Sequence, residues 1–247
     1  MTDTELSLLF SENLHIIAQI GTGKDSAAMF WRLQPYWDKV TFVWCDQGNP
    51  FPEAEAYMMG LAAQVPHFVR IEGQQKQMVE RFGHPVDILP LHRTRFGHEA
   101  ARTTGLMFQS TYDCCFRNLW APMAVWCKEN KVDVVLRGQR KVDKLQAPVA
   151  PGQFVDGIYY YFPLENWTDE DVFSFLEQEG RTPPGYAEGH GSSLDCMDCT
   201  GWTDHQPNHL RYLDNQHRGS KAAIRVRHVF DTLSGDLVKY IKDMMEL

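Results

Sequence analysis

The sequence lacks any apolar run approaching the roughly 20 residues that a membrane-spanning helix needs. It also lacks an excess of positive charge: 24 Lys and Arg stand against 32 Asp and Glu, a net charge of −8. That balance excludes a generally basic nucleic-acid coat, though not a local basic patch. No internal repeat and no low-complexity tract is present. With 43% hydrophobic and 23% charged residues, a disordered or collagenous chain is excluded as well. The first twenty residues carry Asp3, Glu5 and Glu12 where a secretory signal would need a cationic start. These absences lead to the expectation of a soluble, cytoplasmic protein without a membrane partner. Cysteines number only six, and in a reducing compartment clustered thiols are more often metal ligands or catalysts than disulfides.

What is present alternates. The apolar run Leu14 to Ile20 and the run Val40 to Cys45 read as buried strands, each followed by a helical stretch. The first of those helices is closed by Pro35 and the second covers Glu53 to Ala63. A strand around His67 to Ile71, a helix over Pro122 to Glu129 and a strand over Val132 to Leu136 continue the pattern. Such alternation predicts an α/β fold, a Rossmann-like, mostly parallel sheet with helices on both faces. His84 to Tyr112, without clear period, reads as a long functional loop or irregular helix. Leu210 to Leu247 reads as helices interrupted at Gly219 and Gly235, a helical C-terminal extension. The expected division is a nucleotide- and cluster-binding domain over 1–205 and the extension over 206–247.

The first strand runs into Gly21-Thr22-Gly23-Lys24-Asp25-Ser26 and then a helix. Glycines there admit close approach of oxygen atoms, backbone amides and the helix dipole favour an anion, and Lys24 can neutralise a terminal phosphate. The spacing is not that of a Walker A loop. Asp46-Gln47-Gly48 leads to Phe51-Pro52-Glu53 at the end of the second strand, the side on which open parallel sheets bind ligands. Gly138-Gln139-Arg140-Lys141-Val142-Asp143 follows a later strand. Pro163-Leu164-Glu165-Asn166-Trp167-Thr168-Asp169-Glu170-Asp171-Val172 reads as a helix entry with Thr168 as N-cap and acids in the first turn.

The cysteines fall into two pairs. Cys114-Cys115 are adjacent, and Cys196-x-x-Cys199 follows after 80 intervening residues. Four thiolates from two segments suit either a tetrahedral zinc ion or the corners of a 4Fe–4S cube. Zinc sites usually space their paired cysteines, so adjacent ligands favour the larger cluster. Both members of the first pair can bind one centre only from a turn or helix end, because neighbours in a strand point to opposite faces. Cys45 and Cys127 have no sequence partner and read as small buried hydrophobes.

The four ordered segments resemble the signatures of the phosphoadenosine-phosphosulfate (PAPS) reductase family, with its adenine-nucleotide alpha-hydrolase-like fold, over Leu14 to Tyr186. Gly21 stands where that family commonly has Ser, Gln47 where it has Thr, and Asp143 where it has Glu. Cys114-Cys115-Phe116-Arg117 with Pro122-Met123 resembles the Cys-Cys segment of iron–sulfur adenylyl-sulfate (APS) reductases, whose second pair is likewise Cys-x-x-Cys. The resemblance implies Cys114, Cys115, Cys196 and Cys199 as ligands of a 4Fe–4S cluster. It implies an adenine nucleotide, ATP with Mg²⁺ or a relative, held by Gly21, Thr22, Gly23, Lys24, Asp25, Ser26, Asp46, Gly48, Gly138 and Arg140. Lys24, Asp46 and Arg140 are the implied catalytic residues.

The related reductases use a cysteine near the carboxyl terminus as nucleophile, whereas here the last cysteine is Cys199. The Lys24-Asp25-Ser26 loop looks more like members that cleave ATP between the α and β phosphates. The expected activity is therefore ATP-dependent, pyrophosphate-releasing sulfur transfer to a nucleic-acid or nucleotide acceptor, with a sulfur-donor protein as a further partner. Sulfonucleotide reduction and non-catalytic nucleotide binding are the alternatives. Two basic groups are candidates for the acceptor: His92, Arg93, Arg95 and Arg102 in the irregular loop, and Arg211, Arg218, Lys221, Arg225 and Arg227, which face one acid, Asp214, in their stretch.

Overall fold

The computed structural model describes residues 3–12, 14–87, 105–143, 149–178, 180–201 and 206–245. The chain begins with α1 (Asp3–Leu9), β1 (Ile16–Ile20) and α2 (Lys24–Arg32). Next come β2 (Val40–Asp46), α3 (Pro52–Ala62), β3 (Phe68–Glu72) and α4 (Gln75–Phe82). Then β4 (His84–Val86), β5 (Phe108–Ser110), α5 (Thr111–Cys115) and α6 (Ala121–Glu129) follow, with a π-helical turn over Phe116–Trp120 between the two helices. The remaining elements are β6 (Val134–Arg137), β7 (Gln153–Val155), β8 (Ile158–Tyr161), α7 (Asp169–Glu177), α8 (Pro184–Ala187), α9 (Gln206–Gln216) and α10 (Lys221–Met245).

Six strands form one sheet in the order β3-β2-β1-β6-β8-β7, parallel except for the antiparallel β7–β8 hairpin. Strand alternation sorts the apolar residues onto two faces. Ile16, Ala18, Ile20, Phe42, Trp44, Val134 and Leu136 pack with Met29 and Phe30 of α2 and Val172 and Leu176 of α7. Ile17, Val43, Cys45 and Val135 face the other way, against Met123 and Cys127 of α6. Because both faces are covered, the central strands are mostly apolar rather than alternating. A third cluster joins Phe51, Leu194 and Met197 to Tyr212, Leu213, Ala222 and Val226, so α9 and α10 share a core with the segment carrying the second cysteine pair. Among the described residues no helix is long and apolar enough to cross a membrane.

Two expectations are corrected. The stretch His84 to Tyr112 is not irregular at its ends, because His84–Val86 and Phe108–Ser110 pair as a small parallel sheet. Nor does Gly235 interrupt the last helix. α10 runs unbroken from Lys221 to Met245, whereas Gly219 does end the preceding turn at φ +78°. Of the two, Gly219 alone adopts the left-handed backbone that stops a helix.

Candidate functional site

The chain leaves β1 toward β2 on one side and is joined by β6 on the other, so the sheet has its topological switch between β1 and β6. Loops departing in opposite directions leave a crevice at the carboxyl ends of such strands. Here it is a cavity of about 250 Å³ walled by Gly21, Asp25 and Ser26 after β1 and by Arg137, Gly138 and Asp143 after β6. The approach is close because residue 138 has no side chain. A Cβ there would stand 2.8 Å from the Asp25 carbonyl oxygen and 3.2 Å from the Ser26 nitrogen. Gly23, the N-cap of α2, offers no side-chain acceptor to the first-turn amides.

Lys24 and Arg140 are not among the residues lining this cavity. They sit in a mesh of three carboxylates. Lys24 Nζ lies 3.0 Å from both Asp25 and Asp169, and the buried Arg140 guanidinium lies 2.9 Å from Asp25, Asp143 and Asp169. Burial raises the Asp25 pKa despite Lys24, and the Lys24 hydrogen bond lowers that of Asp169. Burial opposes the Arg140 charge, but Asp25 and its neighbours more than offset it and the pKa is raised. Asp46 is also committed elsewhere. It is buried, accepts the Gly48 N–H at 2.8 Å and receives Arg70 Nε at 3.0 Å, so it shapes the turn at Gly48, whose φ is +99°. Arg137 lines the crevice, and its pKa is lowered by burial.

The four cysteines of the two pairs meet. Cys114, Cys115, Cys196 and Cys199 line one cavity of about 100 Å³, together with Thr111, Gln75, His190 and His209. Cys114 and Cys115 end the one-turn helix α5, where the backbone widens into the π turn. Such π segments frequently mark functional positions. The turn directs Asn118 inward, where its Nδ2 donates to Cys114 O at 3.0 Å and approaches Cys114 Sγ at 3.6 Å. Gln75 Nε2 donates to Cys196 Sγ. Within the second pair the Cys196 thiol donates to Cys199, raising the Cys196 pKa and lowering that of Cys199. Burial and the Cys199 charge push Cys114 up to about 11. Cys45 and Cys127, as expected, are buried in the core.

Four cysteines, with amide groups approaching two of the sulfurs, could hold an iron–sulfur cluster, whose sulfurs accept such hydrogen bonds. Among the described residues no three His, Cys, Asp or Glu side chains are gathered closely enough to hold a metal ion. Beside the thiols, His190 Nε2 lies 3.2 Å from His209 Nδ1, and His209 Nε2 is 3.1 Å from the Met197 carbonyl.

Asp195 and Gln47 line both cavities. Of the two basic groups, His92, Arg93, Arg95 and Arg102 lie outside the described residues. In the other, Arg225 and Arg227 are held by Asp198 and Asp214. Sequence reasoning missed Asp195, Gln75, Asn118, Arg137, His190 and His209. Only Asp195, beside Cys196, carried any signal.

The sequence model of the phosphoadenosine phosphosulfate reductase domain matches residues 15–202. No curated protein matches the chain. Among solved structures, similarity is found to a PAPS reductase from Candida auris in its phosphate complex, at 16% identity and a TM-score of 0.47, over 76% of this chain and 92% of that one. The U34-tRNA thiolase NcsA from Methanococcus maripaludis with its 4Fe–4S cluster is similar at 13% identity and a TM-score of 0.44, over 90% and 72%. Yeast FAD synthetase in complex with FAD is similar at 16% and 0.41, over 72% and 54%.

Proposed function

Because the chain belongs to the phosphoadenosine phosphosulfate reductase domain family, we propose that it is an enzyme that binds an adenine nucleotide in the β1–β6 crevice and transfers sulfur at the expense of ATP. The observation that carries this reading is the shared wall: the crevice and the four-thiol cavity have Gln47 and Asp195 in common. Cys114, Cys115, Cys196 and Cys199 would hold a 4Fe–4S cluster, one thiolate to each iron, which would supply an electron-transfer or charge-bearing centre beside the crevice.

The chain's own groups account for the first half-reaction. Amides of Gly21 to Ser26 and the Lys24 ammonium, exchanging a carboxylate for phosphate, hold the β and γ phosphates with Mg²⁺. An acceptor oxygen attacks the α-phosphorus, the α–β bridging bond breaks, and pyrophosphate leaves. In the second half-reaction hydrosulfide adds to the activated carbon and AMP departs with the oxygen. The acceptor class is a nucleic acid or nucleotide, with a sulfur-donor protein supplying the hydrosulfide. Arg140, bonded to Asp25, Asp143 and Asp169, fixes the carboxylates that Lys24 must leave.

Incubation of anaerobically purified protein with ATP, Mg²⁺ and candidate acceptors tests the reading, followed by assay of pyrophosphate, iron and acid-labile sulfide. Pyrophosphate release that depends on acceptor, from a protein carrying about four irons per chain, is the expected result. Thioredoxin-dependent sulfite formation from APS or PAPS would replace it with sulfonucleotide reduction. Tight nucleotide binding without any product would leave a binding protein, and a colourless protein with one zinc would remove the cluster.

A further inference from the structure

Cys196 is held between attachments to both loops that leave the central strands. From the β1 loop, the buried Thr22 donates its backbone N–H to Asp195 Oδ1 at 3.0 Å. Its hydroxyl accepts the Leu194 N–H at 2.8 Å and donates in turn to Asp195. From the β2 loop, the Phe51 N–H donates to Leu194 O at 3.1 Å, and Asn49 O accepts the Met197 N–H at 2.8 Å. Asn49 Nδ2 also donates to Asp198. The second thiol pair has no regular secondary structure of its own. Its position is set by these bonds together with those of Gln75 to Cys196, His209 to Met197 and Arg225 to Asp198.

An anion in the crevice draws on the same backbone that Asp195 uses. Phosphate oxygens entering the Gly21 to Ser26 loop compete for its amides and place negative charge beside the Asp195 carboxylate. We propose that Asp195 is the positioning residue through which phosphate occupancy of the crevice alters the setting of Cys196 and Cys199, releasing the segment when phosphates bind. The proposal rests on the nucleotide-binding reading above. Coupling of this kind is reciprocal, so the state of the thiols also alters nucleotide affinity.

The test is the alkylation rate of each cysteine in the as-isolated protein, resolved by mass spectrometry, with ATP–Mg²⁺, with adenosine and with neither. Calorimetry on the same samples reports binding. ATP is expected to raise modification of Cys196 and Cys199 by about fivefold or more, within the usual range of inter-site coupling. Adenosine leaves it unchanged, and Cys127 on the far face serves as control. Asp195→Asn keeps an acceptor for the Thr22 N–H but not the charge, so the response falls, and Asp195→Ala loses it. Should Asp195→Ala fold poorly, Thr22→Ser and Thr22→Val form the second pair, the first responsive and the second not. A fall in modification, as from simple shielding, or a rise surviving in Asp195→Ala or Thr22→Val, overturns the coupling. Binding with no change in rate removes the coupling alone, and absence of ATP binding removes both readings.

Discussion

A methyl group at position 138 has no room. It would press on the Asp25 carbonyl at 2.8 Å and the Ser26 nitrogen at 3.2 Å, both backbone atoms at the entry of α2. Gly138→Ala is therefore expected to cost about 1–3 kcal/mol of stability, the usual range for overpacking, and to weaken nucleotide binding by spreading the crevice. Denaturant unfolding and calorimetry check the two effects, and unchanged stability would mean the loops part without strain. Lys24→Ala separates charge from shape. Loss of a charge-assisted contact worth about 1.5–3 kcal/mol lowers ATP affinity by roughly 10- to 100-fold while adenosine binding holds. Equal losses for both ligands would remove Lys24 from the phosphate contact. These residues were legible because glycine and lysine in a strand–turn–helix setting carry their own chemistry. Gln75, Asn118 and His209 were not. Gln75 meets Cys196 across 121 positions, and no local pattern marks an amide that becomes a partner only after folding.

Helices and strands divide along the same line. Thr168 was readable as an N-cap, and the structure gives a full capping box: Asp171 N–H to Thr168 Oγ1 at 3.1 Å and Thr168 N–H to Asp171 Oδ2 at 2.8 Å. Thr168→Ala is expected to cost about 1 kcal/mol by thermal or chemical unfolding. The opposite sign is expected at Gly235. It lies inside an uninterrupted helix with open space where its Cβ would be. Gly235→Ala should therefore add about 0.5–1 kcal/mol, and no gain in the same unfolding measurement would contradict a continuous α10. The β7–β8 hairpin carried a signal that went unread. Asp156-Gly157, both at positive φ (50° and 87°), is the two-residue turn that right-twisted strands prefer. By contrast, β4 and β5 are three residues each and separated by a long stretch. Strands so short take their conformation from their pairing rather than from local pattern.

For the molecule as a whole, acid is the expected weak point, and it acts where α9 and α10 meet the body. His209 is buried between Met197 and His190, and burial followed by the His190 charge lowers its pKa from 6.5 to about 4. Burial lowers His84 likewise to about 4, with Arg225 and His228 of α10 adding to the shift. Both are bases whose folded pKa is depressed, so between pH 6.5 and about 4 the unfolded chain binds protons that the folded chain refuses. Stability is full above pH 6.5 and falls as the pH drops through that window. The slope for His209 reaches at most about 1.4 kcal/mol per pH unit. The depressed Asp169 pKa, set first by the Lys24 hydrogen bond, acts in the same direction only at lower pH, below the ordinary carboxylate value. Urea unfolding from pH 7.5 to 4.5 measures the slope, and His209→Asn, which cannot charge, should roughly halve it, His84 supplying the remainder. A wild-type curve level across that range would mean that His209 is protonated as readily inside the fold as outside it. The third core would then have to accommodate a charge beside Phe51, whose ring centroid lies 5.5 Å from that of His209.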